Sequence, residues 1–236
     1  MGRLPREVFK PAEDEDGVYL YLSNRILNGE SELGAAEQKQ FISILNSVIS
    51  LYSIECLSAV VRNNSLHLVV YVPNTQLSPD KITELIPGIA DTESRCENSN
   101  NPGILMKELQ SSFTRWYNRT RPKRRNGSYW KERYKCTRLT DETALLCCIL
   151  YLERDLSSEL PEAVLESRKR HLDDQNLNIK LEPCRNWTDG LAIGSRASLR
   201  RYAERLWGPE RAKIKRFGKI YKDENIELYS MRQLIK

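Results

Sequence analysis

Basic side chains are concentrated in two segments of this 236-residue sequence. Residues 115–138 contain ten Lys and Arg residues against one acid, Glu132, and residues 196–222 contain ten more against Glu204 and Glu210. These segments stand out because the whole chain carries a formal net charge of only +5. Clustered guanidinium and ammonium groups neutralise phosphates, so the distribution predicts binding to a nucleic-acid backbone.

Aromatic residues lie between the charges of the first basic segment. Their rings can stack on unpaired bases while Arg and Lys pair with phosphates, a combination typical of single-strand binding. Trp130 and Arg133 have an alternative role, in which Trp130 is a core aromatic residue and Arg133 covers it. The predicted nucleic-acid-binding residues are Arg115, Arg119, Arg121, Lys123, Arg124, Arg125, Trp130, Arg133 and Lys135, followed by Arg200 and Arg201 in the second segment.

The overall composition excludes several classes of protein. Hydrophobic residues make up 40% of the chain and charged residues 29%, which is typical of a folded, soluble protein. The longest apolar stretch, residues 145–152, is too short to span a bilayer, and no secretory signal is recognised. We therefore expect a cytoplasmic protein with no membrane partner. The six cysteines show no C-x-x-C spacing, so neither a zinc site nor a disulfide framework is predicted.

Apolar periodicity predicts alternating strands and helices. The predicted strands cover residues 17–25, 54–61, 66–72 and part of 129–139, and the predicted helices cover residues 35–52, 80–85, 106–118, 144–152 and 196–207. Thr140 is the expected cap of the helix at 144–152, and residues 88–103 are expected to be polar and mobile. This order favours an α+β fold with helices packed on an antiparallel sheet.

Four regions follow from the changes in composition. They are a flexible arm (1–16), a main domain (17–160), an irregular charged linker (161–186) and a basic C-terminal extension (187–236). Within the extension, Asp189-Gly190 and Gly194-Ser195 are typical of turns and helix caps rather than of catalysis.

Several short patterns occur in an order that resembles a known family. Residues 63–73 are similar to a strand carrying Pro-Asn-His-hydrophobe-His-hydrophobe followed by a Pro, and residues 19–25 are similar to Tyr-His-Val-x-x-Arg-Gly. Further similarities cover residues 113–119, 127–136, 151–155, 189–195 and 229–232. Together they resemble the REP-associated tyrosine transposases, single-tyrosine HUH transposases that act on hairpin-forming single-stranded DNA. The resemblance covers most of the chain.

This resemblance implies a fold, a reaction and partners. The fold would be a ferredoxin-like antiparallel sheet with helices on its face, as in HUH endonucleases, plus a basic helical extension. Tyr151 would be the nucleophile that forms a 5′-phosphotyrosine, and His67 and Asp155 would bind Mg or Mn. The partners would be single-stranded or hairpin DNA and a second copy of the chain in a homodimer.

The sequence departs from the family at the first histidine of the HUH pair, where it has Ser65. A neutral hydroxyl is a poor substitute for imidazole in a transition-metal site. Either His67 and Asp155 bind the metal with another group, for which His171 is one alternative, or the chemistry is lost. In the second case the chain is a domesticated DNA-binding protein without a cofactor. A third hypothesis is an RNA-binding module on a ferredoxin-like sheet. His67 and Tyr151 also have structural alternatives, as a strand histidine and a core aromatic residue.

Overall fold

The computed structural model describes residues 9–27, 33–62, 64–120, 127, 129–154, 160–172, 191–213, 216–222 and 226–231. Within these ranges the chain has a mixed α+β fold, which confirms the predicted class. The elements in chain order are β1 (Gly17–Arg25), α1 (Ala35–Ile49), β2 (Glu55–Arg62), β3 (Ser65–Pro73), α2 (Pro79–Leu85), α3 (Thr92–Glu97), α4 (Pro102–Thr120), β4 (Lys135–Leu139), α5 (Glu142–Glu153), α6 (Glu162–His171), β5 (Ala192–Gly194), α7 (Arg196–Trp207), α8 (Pro209–Lys213), β6 (Gly218–Lys222) and β7 (Glu227–Met231).

The described strands form one seven-stranded sheet in the order β2-β3-β1-β4-β5-β7-β6. Every neighbouring pair is antiparallel except β4 and β5, which are parallel. In the register of β1, Ser23 lies opposite His67 on one side and Lys135 on the other. Because side chains alternate across a strand, this register places all three residues on the same face of the sheet.

Helices α1 and α4 cover the first face of the sheet. The apolar spacing that predicted α1 buries Phe41, Leu45 and Val48 against this face. Helix α4 adds Phe113, whose ring centroid lies 5.6 Å from that of Phe41 and 5.5 Å from that of Tyr129. The aromatic residues of the first basic segment thus contribute to this core.

Helix α5 covers the opposite face with an apolar surface that includes Leu145, Ile149 and Leu152. Its cap is Asp141, whose carboxylate accepts a hydrogen bond from the Ala144 amide at 2.9 Å, so the prediction of Thr140 as the cap is wrong. Thr140 instead donates to the Ile193 carbonyl at 3.2 Å. A carboxylate satisfies the free amides of a helix N-terminus better because it also interacts favourably with the helix dipole.

Helix α6 occupies part of the segment that was predicted to be an irregular linker. Its Arg168 is 7% exposed and donates two hydrogen bonds, of 3.0 and 2.9 Å, to the carbonyl of Leu57 on edge strand β2. Arg168 also forms an ion pair with Glu153 at the end of α5. This helix depends on a tertiary contact that covers the sheet edge, which its charged sequence does not reveal.

The C-terminal region joins the same sheet through the β4–β5 pair. The sequence predicted α7 with its observed bounds, and Ser195 is its cap, since the side chain accepts from the Ser198 amide. The β6–β7 hairpin was not predicted, so the basic extension is not purely helical. At Gly194 a Cβ atom would lie 2.0 Å from Thr140 Oγ1, which explains the glycine between β5 and α7.

The segment from 88 to 103 also differs from the prediction, because it contains α3 and the first turn of α4. Ser99 is fully buried and accepts a hydrogen bond from the Leu77 amide at 2.8 Å. The polar side chains of residues 88–103 therefore form hydrogen bonds with backbone groups inside a packed segment. None of the described helices is long and apolar enough to cross a membrane.

Candidate functional site

His67 lies near one end of β3, on the face that α5 covers further along the sheet. Its Nδ1 atom is 2.7 Å from the hydroxyl of Tyr21 on β1, and the two rings are nearly parallel, with an interplanar angle of 9°. Tyr21 is 2% exposed. The hydrogen bond with this buried tyrosine therefore fixes the orientation of the imidazole.

A small cleft surrounds His67, and we call it the His67 cleft. Among the residues that the structure describes, it brings together three cationic side chains and one acid, Glu132. Arg133 and Lys135 are exposed and belong to the predicted nucleic-acid-binding set, and Ser65 lies two residues before His67 on the same face. The cleft is lined by Ser23, Asn24, Arg25, Ser65, His67, Glu132, Arg133 and Lys135.

Asn24 is the most buried polar residue of the His67 cleft, with 3% exposure. Its Oδ1 atom accepts a hydrogen bond from the Arg25 amide at 2.8 Å. Its Nδ2 atom is buried without a hydrogen-bond partner within the described part of the chain. Because side chains alternate along β1, the Asn24 side chain lies on the face opposite to that of Ser23 and His67, and its buried amide is not exposed to a ligand in the cleft.

A second groove adjoins the His67 cleft, and we call it the α4 groove. Its lining includes the predicted residues Arg115, Trp130 and Arg133, together with Lys107. Glu132 and Arg133 line both the groove and the cleft. The two therefore form one basic surface that runs from the side of α4 to His67. Arg119 is exposed at the C-terminal end of the same helix.

The aromatic residues of the first basic segment are mostly buried. Tyr117 is 3% exposed, Tyr129 is fully buried and Trp130 is 8% exposed. The indole nitrogen of Trp130 donates to the Gln110 carbonyl at 3.1 Å. This burial favours the core role of Trp130 over base stacking, and it leaves charge as the main recognition chemistry of the surface.

Tyr151 lies in α5 and is half-buried against the apolar cluster between α5 and the sheet. That cluster includes Tyr21, the hydrogen-bond partner of His67. Tyr151 and His67 therefore lie on the same side of the sheet. Tyr151 is not among the residues that line the His67 cleft.

The described residues of the His67 cleft do not fit a divalent metal ion. They offer one imidazole, the carboxylate of Glu132 and neutral hydroxyls such as that of Ser65, and the three cations Arg25, Arg133 and Lys135 outnumber this one carboxylate and repel a metal ion. Within the described ranges no three His, Cys, Asp or Glu side chains are grouped to hold a metal. Asp155, the other predicted ligand, lies outside the described residues, as do Arg121, Lys123, Arg124 and Arg125.

His171 lies in a different site, which we call the His171 cluster. Its ring centroid is 4.3 Å from that of Tyr71, its Nδ1 atom is 3.3 Å from the Tyr19 hydroxyl and its Nε2 atom is 3.4 Å from Glu55. Tyr71 follows His67 by four residues on β3, which separates the two positions by about 13 Å along the strand. His171 is therefore not a substitute ligand beside His67. Burial, together with the neighbouring acidic side chains, raises the pKa of Tyr19 and of Tyr71.

The two predicted arginines of the second basic segment differ in their roles. Arg200 donates to the Ala212 carbonyl at 2.8 Å and lies over the Phe217 ring, so it holds α8 against α7. Arg201 is exposed and lines another cleft, with Arg138 and Arg205, which we call the α7 cleft. Only Arg201 of this pair presents its charge to the surface.

Sequence reasoning missed Arg25 and Lys107, which lie outside the two basic segments. Arg25 reaches the His67 cleft because β1 pairs with β3, where Arg25 lies opposite Ser65. Lys107 reaches the α4 groove because the loop that carries Trp130 returns to α4. Neither has a local signal, since only the folded arrangement brings them to the site.

No protein-family model matches this chain, and no curated protein has a significantly similar sequence. Its function is therefore inferred from the residues and the geometry alone.

Proposed function

We propose that the chain is a transposase-like protein that binds single-stranded, hairpin-forming DNA. The single observation that carries this proposal is the basic surface formed by the His67 cleft and the α4 groove. Among the described residues, five cationic side chains line this surface, namely Arg25, Lys107, Arg115, Arg133 and Lys135, and Glu132 is the one acidic residue. Guanidinium and ammonium groups in this arrangement neutralise the phosphates of a strand.

The topology supports the proposed family. The elements β1, α1, β2, β3, α4 and β4 follow the β-α-β-β-α-β order, with α2 and α3 as additions, and the strands lie in the order β2-β3-β1-β4. This antiparallel arrangement is the one expected of a ferredoxin-like, or split βαβ, domain. The chain therefore combines a fold compatible with the proposed family and a basic surface near His67.

The shape of the surface favours a single strand over a duplex. The basic side chains lead from the outside of α4 into a recess around His67 and Asn24. A flexible strand can follow this change of direction, whereas bending a duplex over so short a distance costs free energy. The donors that line the recess, Arg25, Arg133 and Lys135, suit the phosphate or carbonyl oxygens of an unpaired nucleotide.

The test of binding compares a DNA hairpin with a single-stranded tail, a blunt duplex and an RNA of the same sequence at one stated salt concentration. The combined variant Arg133→Ala and Lys135→Ala should weaken hairpin binding and reduce the salt slope by about 1.4, since each lost phosphate contact removes about 0.7. The matched control, Lys169→Ala with Arg170→Ala on exposed α6 positions, should leave both quantities unchanged. Equal affinity for the three nucleic acids, or equal losses in the two variants, would refute specific recognition at this surface.

Strand nicking by Tyr151 is a second candidate function, because Tyr151 and His67 lie on the same side of the sheet around Tyr21. In this reaction the phenolic oxygen forms a bond to phosphorus and loses its proton to solvent. The bond to the 3′ oxygen breaks, which leaves a 5′-phosphotyrosine and a free 3′-hydroxyl. The chemistry of Ser65 and the cationic lining oppose it, so binding without turnover is the better-supported function.

Incubation of labelled hairpin DNA with Mn, followed by denaturing electrophoresis, separates these two functions. We expect no covalent adduct with the wild-type chain. An adduct with Ser65→His that disappears in the Ser65→His, Tyr151→Phe double variant would mean that a scaffold for nicking is present but inactive. An adduct with the wild-type chain would establish an active enzyme and overturn binding without turnover.

A further inference from the structure

The α7 cleft contains an unusual arrangement of charge at the opposite end of β1 from the His67 cleft. Arg138 of β4 is 7% exposed, and its guanidinium lies 4.7 Å above the ring centroid of Tyr202. Arg138 and Arg205 of α7 both contact the carboxylate of Glu15, which precedes β1. The cleft therefore holds two arginines from different elements on one carboxylate.

The residues before β1 are an acidic run, Glu13, Asp14, Glu15 and Asp16. Asp14 also reaches Arg205, with a distance of 3.2 Å from its Oδ2 atom to the guanidinium. The Glu15 carboxylate accepts a further hydrogen bond, of 2.9 Å, from the Ala12 amide. Burial alone would raise the pKa of Glu15, but the hydrogen bonds from Arg138, Ala12 and Arg205 outweigh it and lower the pKa.

A carboxylate between two guanidinium groups occupies the position that a phosphate oxygen takes in arginine sites. Arg201 precedes Arg205 by one helical turn, is exposed and lines the same cleft. Phosphate entering from solvent would therefore meet Arg201 first. Arg138 is buried and becomes available to it only when Glu15 is displaced, whereas Arg205 is partly exposed even while it pairs with Glu15.

We propose that the α7 cleft is a second phosphate-binding site for the DNA strand, and that the acidic segment 13–16 occupies it as an internal competitor. This inference rests on the proposed DNA binding. The two sites are at opposite ends of β1, since Gly17 lines the α7 cleft and Arg25 lines the His67 cleft. Eight residues of strand separate these ends by about 26 Å, and we expect a flexible single-stranded tail, rather than the paired stem, to follow the protein surface over this distance.

The experiment measures affinity for a DNA hairpin with a long single-stranded tail and for the same hairpin without a tail. Glu15→Gln should strengthen binding of the tailed hairpin about three- to tenfold and steepen its salt slope, because it removes the competing charge and retains a hydrogen-bond acceptor. Arg201→Ala should weaken binding of the tailed hairpin and remove most of the gain from Glu15→Gln. Neither variant should change binding of the hairpin without a tail.

The control for net charge is Glu210→Gln, which removes an exposed acid that pairs with Lys213 in α8. Glu15→Gln and Arg201→Ala must differ from this control, or the α7 cleft is not a phosphate site. Loss of binding in Arg133→Ala with Lys135→Ala, alongside normal binding in Arg201→Ala, would retain the proposed function and refute the second site. No binding by the wild-type chain would refute the proposed function instead.

Thermal unfolding of each variant accompanies these measurements, because Glu15→Gln leaves Arg138 with a weaker partner. Arg201→Ala replaces an exposed side chain, so this variant should unfold at nearly the same temperature as the wild-type chain. If Glu15→Gln unfolds, the result of Arg201→Ala alone decides the inference.

Discussion

His67 belongs to the sheet, and His171 of α6 packs against the same face of that sheet. The charged side chains near the two histidines nevertheless have opposite sign. His67 is surrounded by Arg25, Arg133 and Lys135 in a recess that opens to solvent. His171 packs on Tyr71 and Tyr19 and faces the carboxylate of Glu55. An imidazole beside cations suits an anionic ligand, whereas an imidazole inside an aromatic and acidic cluster stabilises the fold.

This difference shows that the role of a histidine depends on the elements that meet around it. Strands β1 and β3 and the loop before β4 bring cations to His67. Helix α6 brings His171 to the outer strands, and the Arg168–Glu153 pair fixes that helix against β2. We therefore expect changes at the His171 end to alter stability and changes at the His67 end to alter DNA binding.

The largest expected effect is on the stability that comes from the Arg168–Glu153 ion pair, which holds α6 and the His171 cluster in place. Glu153→Gln removes the carboxylate that pairs with Arg168, whose side chain is 9% exposed, and should lower the free energy of unfolding by about 3–5 kcal/mol. Urea denaturation measures this loss. The matched control is Glu84→Gln, where the partner Lys81 is exposed, and we expect less than about 1 kcal/mol there. Similar losses in both variants would show that Glu153 is not a buried support.

Exchanging each histidine for phenylalanine compares the two sites directly. His67→Phe and His171→Phe each remove one hydrogen bond to a tyrosine and should each cost about 1 kcal/mol of stability. Only His67→Phe should also weaken binding of the DNA hairpin, by about tenfold, because its ring lies in the basic cleft. Equal losses of affinity in the two folded variants, measured by fluorescence anisotropy, would end the distinction between a binding and a structural histidine.

The smallest expected effect is on alkaline stability. The pKa values of Tyr19 and Tyr71 are raised in the folded protein, chiefly by burial, so the unfolded chain releases these protons first as the pH rises. The contribution of these two tyrosines to the free energy of unfolding should therefore be constant below about pH 10 and decrease as the pH rises through the folded pKa values. Tyr71→Phe should make this decrease shallower in urea titrations between neutral and alkaline pH. An unchanged slope would mean that Tyr71 ionises equally in both states.

Regular elements near the start of the chain were predictable from the sequence. Aromatic and branched residues predicted the bounds of β1, apolar periodicity predicted the position of α1, and the helix-cap pattern at Ser195 agrees with the start of α7. Elements that depend on tertiary contact were not predictable. Helix α6 contains four basic residues in its last turn, and Arg168 attaches it to β2. Strands β6 and β7 complete a sheet whose first strands lie far away in the sequence.

The candidate site was predictable in part. The basic segment indicated Arg115, Arg133 and Lys135, and the resemblance indicated Ser65 and His67, but only the fold places these two sets in adjoining grooves. The sequence could not show that Trp130 is buried, because an aromatic residue between charges is equally compatible with base stacking. Arg25 and Lys107 carried no local pattern at all.

The parallel pairing of β4 with β5 has a practical consequence for dissecting this protein. Removing residues 187–236 would take away the neighbour of β4 and leave its backbone donors and acceptors open along one side. Such a shortened chain should self-associate or precipitate rather than behave as a smaller functional unit. Experiments that separate the contributions of the two basic surfaces to DNA binding therefore need point substitutions in the intact polypeptide.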